Sequence, residues 1–141
     1  MVKPSIAYAR GNAFTALSFG AAYNYSKTRG INGSRLGFGL YWEPQFSFQS
    51  NADGRIRTHR NDFFTFRFEE RNNNAYNNFE FLSTLSIGYL IRRSGNYFEK
   101  NTFRLGLPGA ASGRLQIEPE LYFNDVFKNV SPGIRMSLRV W

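Results

Sequence analysis

The sequence predicts an all-β fold, a closed antiparallel up-and-down transmembrane β-barrel of about eight strands, formed by one domain over residues 1–141. Three observations predict it. Apolar and polar residues alternate with period two, aromatic residues make up 18% of the chain, and the apolar side of the predicted strands is free of charge. Such alternation suits a strand that faces lipid on one side and a lumen on the other.

The strands are separated by turns rich in Gly, Asn and Asp, which supply the positive φ that tight reversals need. Several strands have the length that a tilted strand needs to cross a bilayer, and no apolar run approaches the roughly 18 residues of a membrane helix. The predicted strands are residues 4–9, 14–27, 35–50, 62–70, 78–92, 101–107, 113–124 and 132–141.

One face of these strands is apolar and strongly aromatic. Mean hydropathy is nevertheless −0.44, because alternate residues cancel each other. On this face, a charge near the bilayer midplane would cost about 2–4 kcal/mol. The residues predicted to face the membrane include Phe38, Trp42, Phe64, Phe66, Phe68, Leu85, Ile87 and Tyr89.

The opposite face combines small residues with arginine and glutamate. An eight-stranded barrel has an interior only just wide enough for side chains, and the guanidinium fork pairs well with carboxylates in such a space. All four lysines are expected in turns or at strand ends. We predict a lumen closed by an ion-pair network of six arginines and five glutamates: Glu43, Arg67, Glu69, Glu80, Arg92, Arg104, Arg114, Glu118, Glu120, Arg135 and Arg139.

Alternation alone does not decide which face lies inside. A soluble lipocalin-like barrel that carries a lipophilic ligand has the same pattern with the faces reversed. The pairing of arginine with glutamate and the small residues beside it favour the membrane interpretation, and the soluble carrier remains the alternative.

The net charge of +8 does not indicate nucleic-acid binding. The predicted lumen accounts for only +1, which leaves +7 for loops and strand ends. Arg55, Arg57 and Arg60 form the densest cluster, in a predicted loop without the interleaved aromatic residues that single-stranded nucleic acid would require. A solvated loop is the ordinary interpretation, and contact with lipopolysaccharide phosphates or another anionic partner is the functional one.

No catalytic or metal site is expected, and therefore no cofactor. His59 is the only histidine, lies in a predicted turn among cations, and has no serine nearby in sequence. A lipid-modifying enzyme would need a serine or glutamate beside it in space. The chain has no cysteine and no second histidine to complete a zinc site. Glu118 and Glu120 share a face and could perform acid–base chemistry, although the ion-pair role is favoured.

In this architecture the chain resembles the small eight-stranded outer-membrane barrels of Gram-negative bacteria, the class of OmpX and the OmpA membrane domain. Residues 115–123 and 132–141 look like the closing hairpin of small barrel proteins from Bacteroidota. The resemblance implies a periplasmic C-terminus whose final aromatic residue is read by the barrel-assembly machinery. Trp141 departs from that pattern, because it falls on the parity of Arg135 and Arg139.

The expected role is non-enzymatic: structural, or a surface interaction through loops with lipopolysaccharide or another outer-membrane protein. Met1 to Pro4 lack the apolar core of a secretory signal, so we expect the precursor to carry one. With periplasmic termini, the connections after the second, fourth and sixth strands face the periplasm, the sixth being residues 108–112. The loops at residues 50–61, 92–100 and 124–131 then face outward.

Overall fold

A computed structural model describes residues 2–27, 34–50, 53–72, 79–125 and 128–139. The predicted position of Trp141 lies outside these ranges. The described residues form nine strands: β1 (Val2–Ala9), β2 (Asn12–Lys27), β3 (Ser34–Ser50), β4 (Ile56–Asn72), β5 (Phe79–Arg92), β6 (Thr102–Gly106), β7 (Gly109–Ser112), β8 (Leu115–Asn124) and β9 (Lys128–Leu138).

The strands form one antiparallel sheet whose hydrogen bonds run in a ring. Each strand from β1 to β5 pairs with the next, β8 pairs with β9, and β9 pairs back with β1. β6 and β7 lie one after the other between β5 and β8, and each pairs with both. The prediction of an all-β, antiparallel, up-and-down arrangement is confirmed at this level.

The predicted short connection at residues 108–112 is wrong. Gly109–Ser112 forms β7, and the chain reverses instead at Gly113 and Arg114. Pro108 interrupts the hydrogen-bond ladder because it has no backbone N–H, yet the chain keeps its direction. The Leu107 amide, which donates to the Pro119 carbonyl at 2.9 Å, keeps this interruption against β8.

Two predicted loops are shorter than expected. β4 begins at Ile56, so residues 56–61 belong to a strand, and β9 begins at Lys128, so residues 128–131 do too. The β3–β4 ladder continues unbroken to the pair of Ser50 and Ile56. A strand as long as β3 needs a hydrogen-bonding partner along its whole length, whatever the polarity of the partner's side chains.

The polar parity of the strands faces the interior of the ring, and the apolar parity faces outward. Seven of the eight predicted outward residues are exposed, and the eighth, Phe68, is half-buried. One pair of charges also lies on the outward parity. Arg60 donates to both carboxylate oxygens of Asp62, at 2.8 and 2.9 Å, and its guanidinium lies 5.3 Å from the Trp42 ring centroid. The expectation of a charge-free outer face is therefore wrong near this end of β4.

The interior has three layers along the strands. The end of the ring that carries the β1–β2 turn holds an aromatic cluster, and we call it the capped end. The middle holds buried ion pairs. The end that carries the β7–β8 turn and the start of β1 holds a polar cavity, and we call it the open end.

Candidate functional site

Four charged side chains form a closed ring in the middle layer. Arg135 Nε lies 2.7 Å from Glu120 Oε1, and Arg104 Nε lies 3.4 Å from the same oxygen. Arg104 Nη2 also donates to Glu43 Oε2, and Arg135 Nη1 lies 3.8 Å from Glu43 Oε1. All four side chains are at most 3% exposed. Each arginine thus contacts both glutamates, and this charge ring is neutral.

Hydroxyl groups complete the coordination of the two carboxylates. Ser18 Oγ donates to Glu43 Oε1 at 2.7 Å, and Thr65 Oγ1 donates to Glu43 Oε2 at 2.9 Å. The Tyr122 hydroxyl donates to Glu120 Oε2 at 2.7 Å. Buried charges are tolerated only when their remaining hydrogen-bonding capacity is satisfied in this way. The charge ring is therefore a fixed structural element.

A separate ion pair lies between the charge ring and the open end. Arg67 Nη2 donates to Glu118 Oε2 at 2.7 Å, and both side chains are buried. Arg67 Nη1 is also buried, and it has no hydrogen-bond partner among the described residues. Only one of the two terminal nitrogens of the Arg67 guanidinium therefore takes part in this ion pair.

The structure brings together six of the eleven residues predicted for the network, three arginines and three glutamates, so the assembled charge is zero. Glu69, Glu80 and Arg139 are half-buried near strand ends. Arg92 and Arg114 are exposed. Parity predicts direction but not depth, so it assigns a strand-end side chain to the interior even where solvent reaches it.

All four lysines were predicted in turns or at strand ends, where solvent is expected, but Lys3 is buried in the interior. It lies within β1, on the inward parity of Ser5 and Ala7, and is only 5% exposed. The predicted first strand began at residue 4, one position too late to include it. An earlier start of the strand would have revealed this interior lysine.

The open end contains a cavity of about 230 Å³. Tyr41 forms part of its wall, with its ring lying against Gly39. A Cβ atom at Gly39 would come within 2.5 Å of that ring. The charged residues that line the cavity are Lys3, Arg35, Arg67, Glu69 and Arg139.

The capped end is closed by the connection of residues 93–101. The Ser94 amide donates to Asn61 Oδ1 at 3.0 Å, and the Tyr97 hydroxyl donates to the Ala9 carbonyl. Phe98 is 2% exposed and packs against the rings of Phe63 and Tyr122, with both centroid distances 5.4 Å. Burial raises the pKa of Tyr97 to about 12, although the nearby charge of Arg10 acts in the opposite direction.

This cap was missed in the sequence. Its one signal is the adjacent pair Tyr97 and Phe98, within a connection otherwise rich in turn-forming and charged residues. Two large aromatic side chains side by side are unusual in a fully solvated loop.

His59 does not lie in a solvated turn. It is half-buried within β4, and Gly95 of the cap packs against it. A Cβ atom at Gly95 would come within 2.7 Å of His59 Nδ1. Among the described residues, His59 makes no hydrogen bond to a serine or carboxylate, and no cluster of three or more His, Cys, Asp or Glu residues could hold a metal ion. His59 therefore belongs to the packing of the capped end.

The three cations predicted to contact anions from a loop are placed differently from one another. Arg55 and Arg57 are exposed, the second of them within β4. Arg60 also belongs to β4, and its guanidinium forms an ion pair with Asp62. Of these three cations, Arg55 and Arg57 are therefore the exposed ones.

Comparison with known proteins finds no significant match to this chain. The chain matches no protein-family model, and neither a curated protein nor a solved structure is significantly similar to it. Over the described ranges, no helix combines the length and the hydropathy needed to cross a membrane.

Proposed function

We propose that this chain is an outer-membrane β-barrel with a closed lumen and a non-enzymatic role, either structural or as an accessory to another outer-membrane component. The outward face of the ring contacts lipid, and the connections at its two ends contact partners. β6 and β7 together act as one interrupted strand of the barrel, which then has eight strand positions in all.

The observation that carries this proposal is the reversed distribution of side chains, with charged residues buried inside the ring and apolar residues exposed outside it. The charge ring is almost completely buried, whereas large apolar side chains stand exposed on nearly every strand, among them Leu40, Phe66 and Ile87 at 47–51%. An exposed apolar surface that extends over so many strands far exceeds the patches of a few hundred Å² usual on soluble monomers. Lipid is the environment in which such a surface is stable.

The interior supports a closed lumen. The neutral charge ring crosses it, and the cap fills the capped end with aromatic rings. Free ion conduction is therefore not expected of this chain, in contrast to porins. A soluble carrier would instead need an apolar cavity inside the ring, whereas the cavity at the open end is lined by five charged side chains.

Partners would meet the molecule at its ends. With periplasmic termini, the capped end faces outward, and there Arg55 and Arg57 are available to lipopolysaccharide phosphates. The stack of Arg60 on Trp42 suits the boundary between lipid and water, where aromatic girdles occur. Assembly would use the barrel-assembly machinery, as the resemblance to small outer-membrane barrels implies.

Folding with and without detergent tests the proposal. We expect β-sheet circular dichroism and a gel migration that changes on boiling only when micelles are present. Phe66→Arg, in the middle of β4, should then lower the free energy of unfolding in bilayers by about 2–4 kcal/mol. Val130→Arg, near the end of β9, is the matched control and should cost about 0–1 kcal/mol.

Monodisperse folding in plain buffer, with Phe66→Arg tolerated, would refute membrane insertion. The soluble carrier would then become the leading hypothesis, and lipophilic dyes would be the first ligands to test.

A further inference from the structure

We propose that the cavity at the open end binds a tetrahedral oxyanion of the phosphate class. The inference goes beyond the proposed function and does not depend on it, because the cavity belongs to the interior of the ring whether or not the outer face contacts lipid. Three observations carry it: the charge of the lining, an unsatisfied buried guanidinium nitrogen, and the size of the space.

The lining has a clear excess of positive charge. Lys3, Arg35, Arg67 and Arg139 contribute four cations, and Glu69 contributes one carboxylate, which gives an excess of three. Glu118, bound to Arg67 from behind, reduces the excess to two. The neighbouring charge ring is neutral and offsets none of it. A concave site with one sign of charge and protein walls concentrates the opposite ion.

The strongest single indication is Arg67. Its side chain is 8% exposed and lines the cavity, and its Nη1 has no hydrogen-bond partner among the described residues. A buried, unsatisfied donor on a charged group is costly. Because Nη1 is itself buried, an oxyanion in the cavity would pair with it after a rotation of the guanidinium, while Nη2 still holds Glu118.

The space fits such a ligand. A cavity of about 230 Å³ is several times the roughly 30 Å³ that one water molecule occupies in the liquid. It has room for a phosphate group with some of its hydration. Gly37 lines the space and adds no side chain to it. Lys3, Arg67 and Arg139 approach from β1, β4 and the residue after β9, so the cations surround the space from different strands.

Inorganic phosphate is the probe, titrated into the folded full-length chain by calorimetry at low ionic strength. The chain is held in plain buffer or in a detergent without phosphate, such as octyl glucoside, according to which of them folds it. We expect saturable binding of one phosphate. Arg139→Gln and Lys3→Gln should each weaken binding by about tenfold or more, which corresponds to about 1.4 kcal/mol.

Arg114→Gln is the matched control, because it removes the same charge at the same end of the molecule from an exposed turn outside the cavity. It should change the affinity less than twofold. Gel migration and circular dichroism of each variant check that the fold is retained, and Arg35→Gln, at an exposed rim position, gives a second test if Lys3→Gln fails to fold.

The two sources of the oxyanion are separated by competition. Mixed micelles with phosphatidylglycerol displace inorganic phosphate if a lipid headgroup reaches the site, and leave binding unchanged if the ligand is a soluble phosphate. Either result supports the site. The proposal is overturned if phosphate does not saturate, or if Arg114→Gln weakens binding as much as Arg139→Gln does.

Discussion

The same ring of strands encloses both ends of the interior, but water is excluded from the capped end and can reach the open end. At the capped end, residues 93–101 fold inward, and Phe98 packs among other rings with little exposed surface. At the open end, cations surround a cavity, with an excess of positive charge. Between them the charge ring is neutral. Charge is thus balanced where water is excluded, and it is unbalanced where water or a ligand can reach.

The largest effect is expected in the neutral layer between the two ends. Arg104→Met should lower the free energy of unfolding by about 3–5 kcal/mol, because it leaves Glu43 and Glu120 short of a buried counter-charge. Urea unfolding in micelles measures this. Arg92→Met, at an exposed position, should stay within about 0.5 kcal/mol of the parent chain.

The double variant Glu43→Gln with Arg104→Met should recover part of that loss, since the stranded carboxylate is then neutral. A strictly additive double variant would show that the two side chains are not energetically coupled and would remove the charge ring from this account.

The next effect concerns the capped end alone. Phe98→Ala should cost about 3 kcal/mol, at the lower end of the range for a buried phenylalanine because the connection can partly collapse. Phosphate binding at the open end should stay unchanged in this variant. A parallel loss of binding would mean that the two ends are energetically coupled and do not act independently.

A smaller effect is expected from the wall of the open end. Gly39→Ala places a methyl group within 2.5 Å of the Tyr41 ring and should cost about 1–3 kcal/mol through overpacking. Gly37→Ala is the control, because its nearest neighbour is the Asn24 side-chain oxygen at 3.0 Å, which can rotate away. Equal losses in both variants would show that the Tyr41 ring is not held against Gly39.

The smallest effect concerns the single hydroxyl of the cap. Tyr97→Phe removes the hydrogen bond to the Ala9 carbonyl and should cost about 1 kcal/mol at neutral pH. The raised pKa of Tyr97, about 12 against an ordinary value of 10, means that folding favours the neutral phenol. This contribution is present below pH 10 and is lost as pH rises toward 12.

The stability advantage of the parent chain over Tyr97→Phe should therefore shrink above pH 10 and disappear before pH 12. A constant difference between Tyr97→Phe and the parent chain would exclude a buried, neutral Tyr97.

Much of the fold could be predicted because the direction of each strand side chain follows from the alternation of its nearest neighbours in sequence. The alternation around Leu36 to Phe48 and around Phe64 to Phe68 predicted which side chains lie outside, and it predicted that Glu43 and Arg67 lie inside. Strand ends could not be predicted as well. Residues 56–61 pair with β3 through backbone hydrogen bonds, and their side chains give no pattern that predicts this pairing.

The cap and the cavity depend on contacts between distant parts of the chain, which alternation does not encode. Tyr97 reaches Ala9 across 88 residues. The cavity brings together β1, β2, β3, β4 and the residue after β9. Nothing in the sequence near Lys3 indicates that it lines the same cavity as Arg67 and Arg139, because that arrangement follows from closure of the ring.

The most direct test of the central claim, that the apolar parity faces lipid, is quenching of Trp42 fluorescence by brominated acyl chains. Trp141→Phe leaves Trp42 as the only tryptophan, and Trp42 is 41% exposed on the outer face. We expect strong quenching by brominated lipids in reconstituted bilayers and weak quenching by aqueous acrylamide. Strong acrylamide quenching with no effect of the brominated lipids would contradict the account.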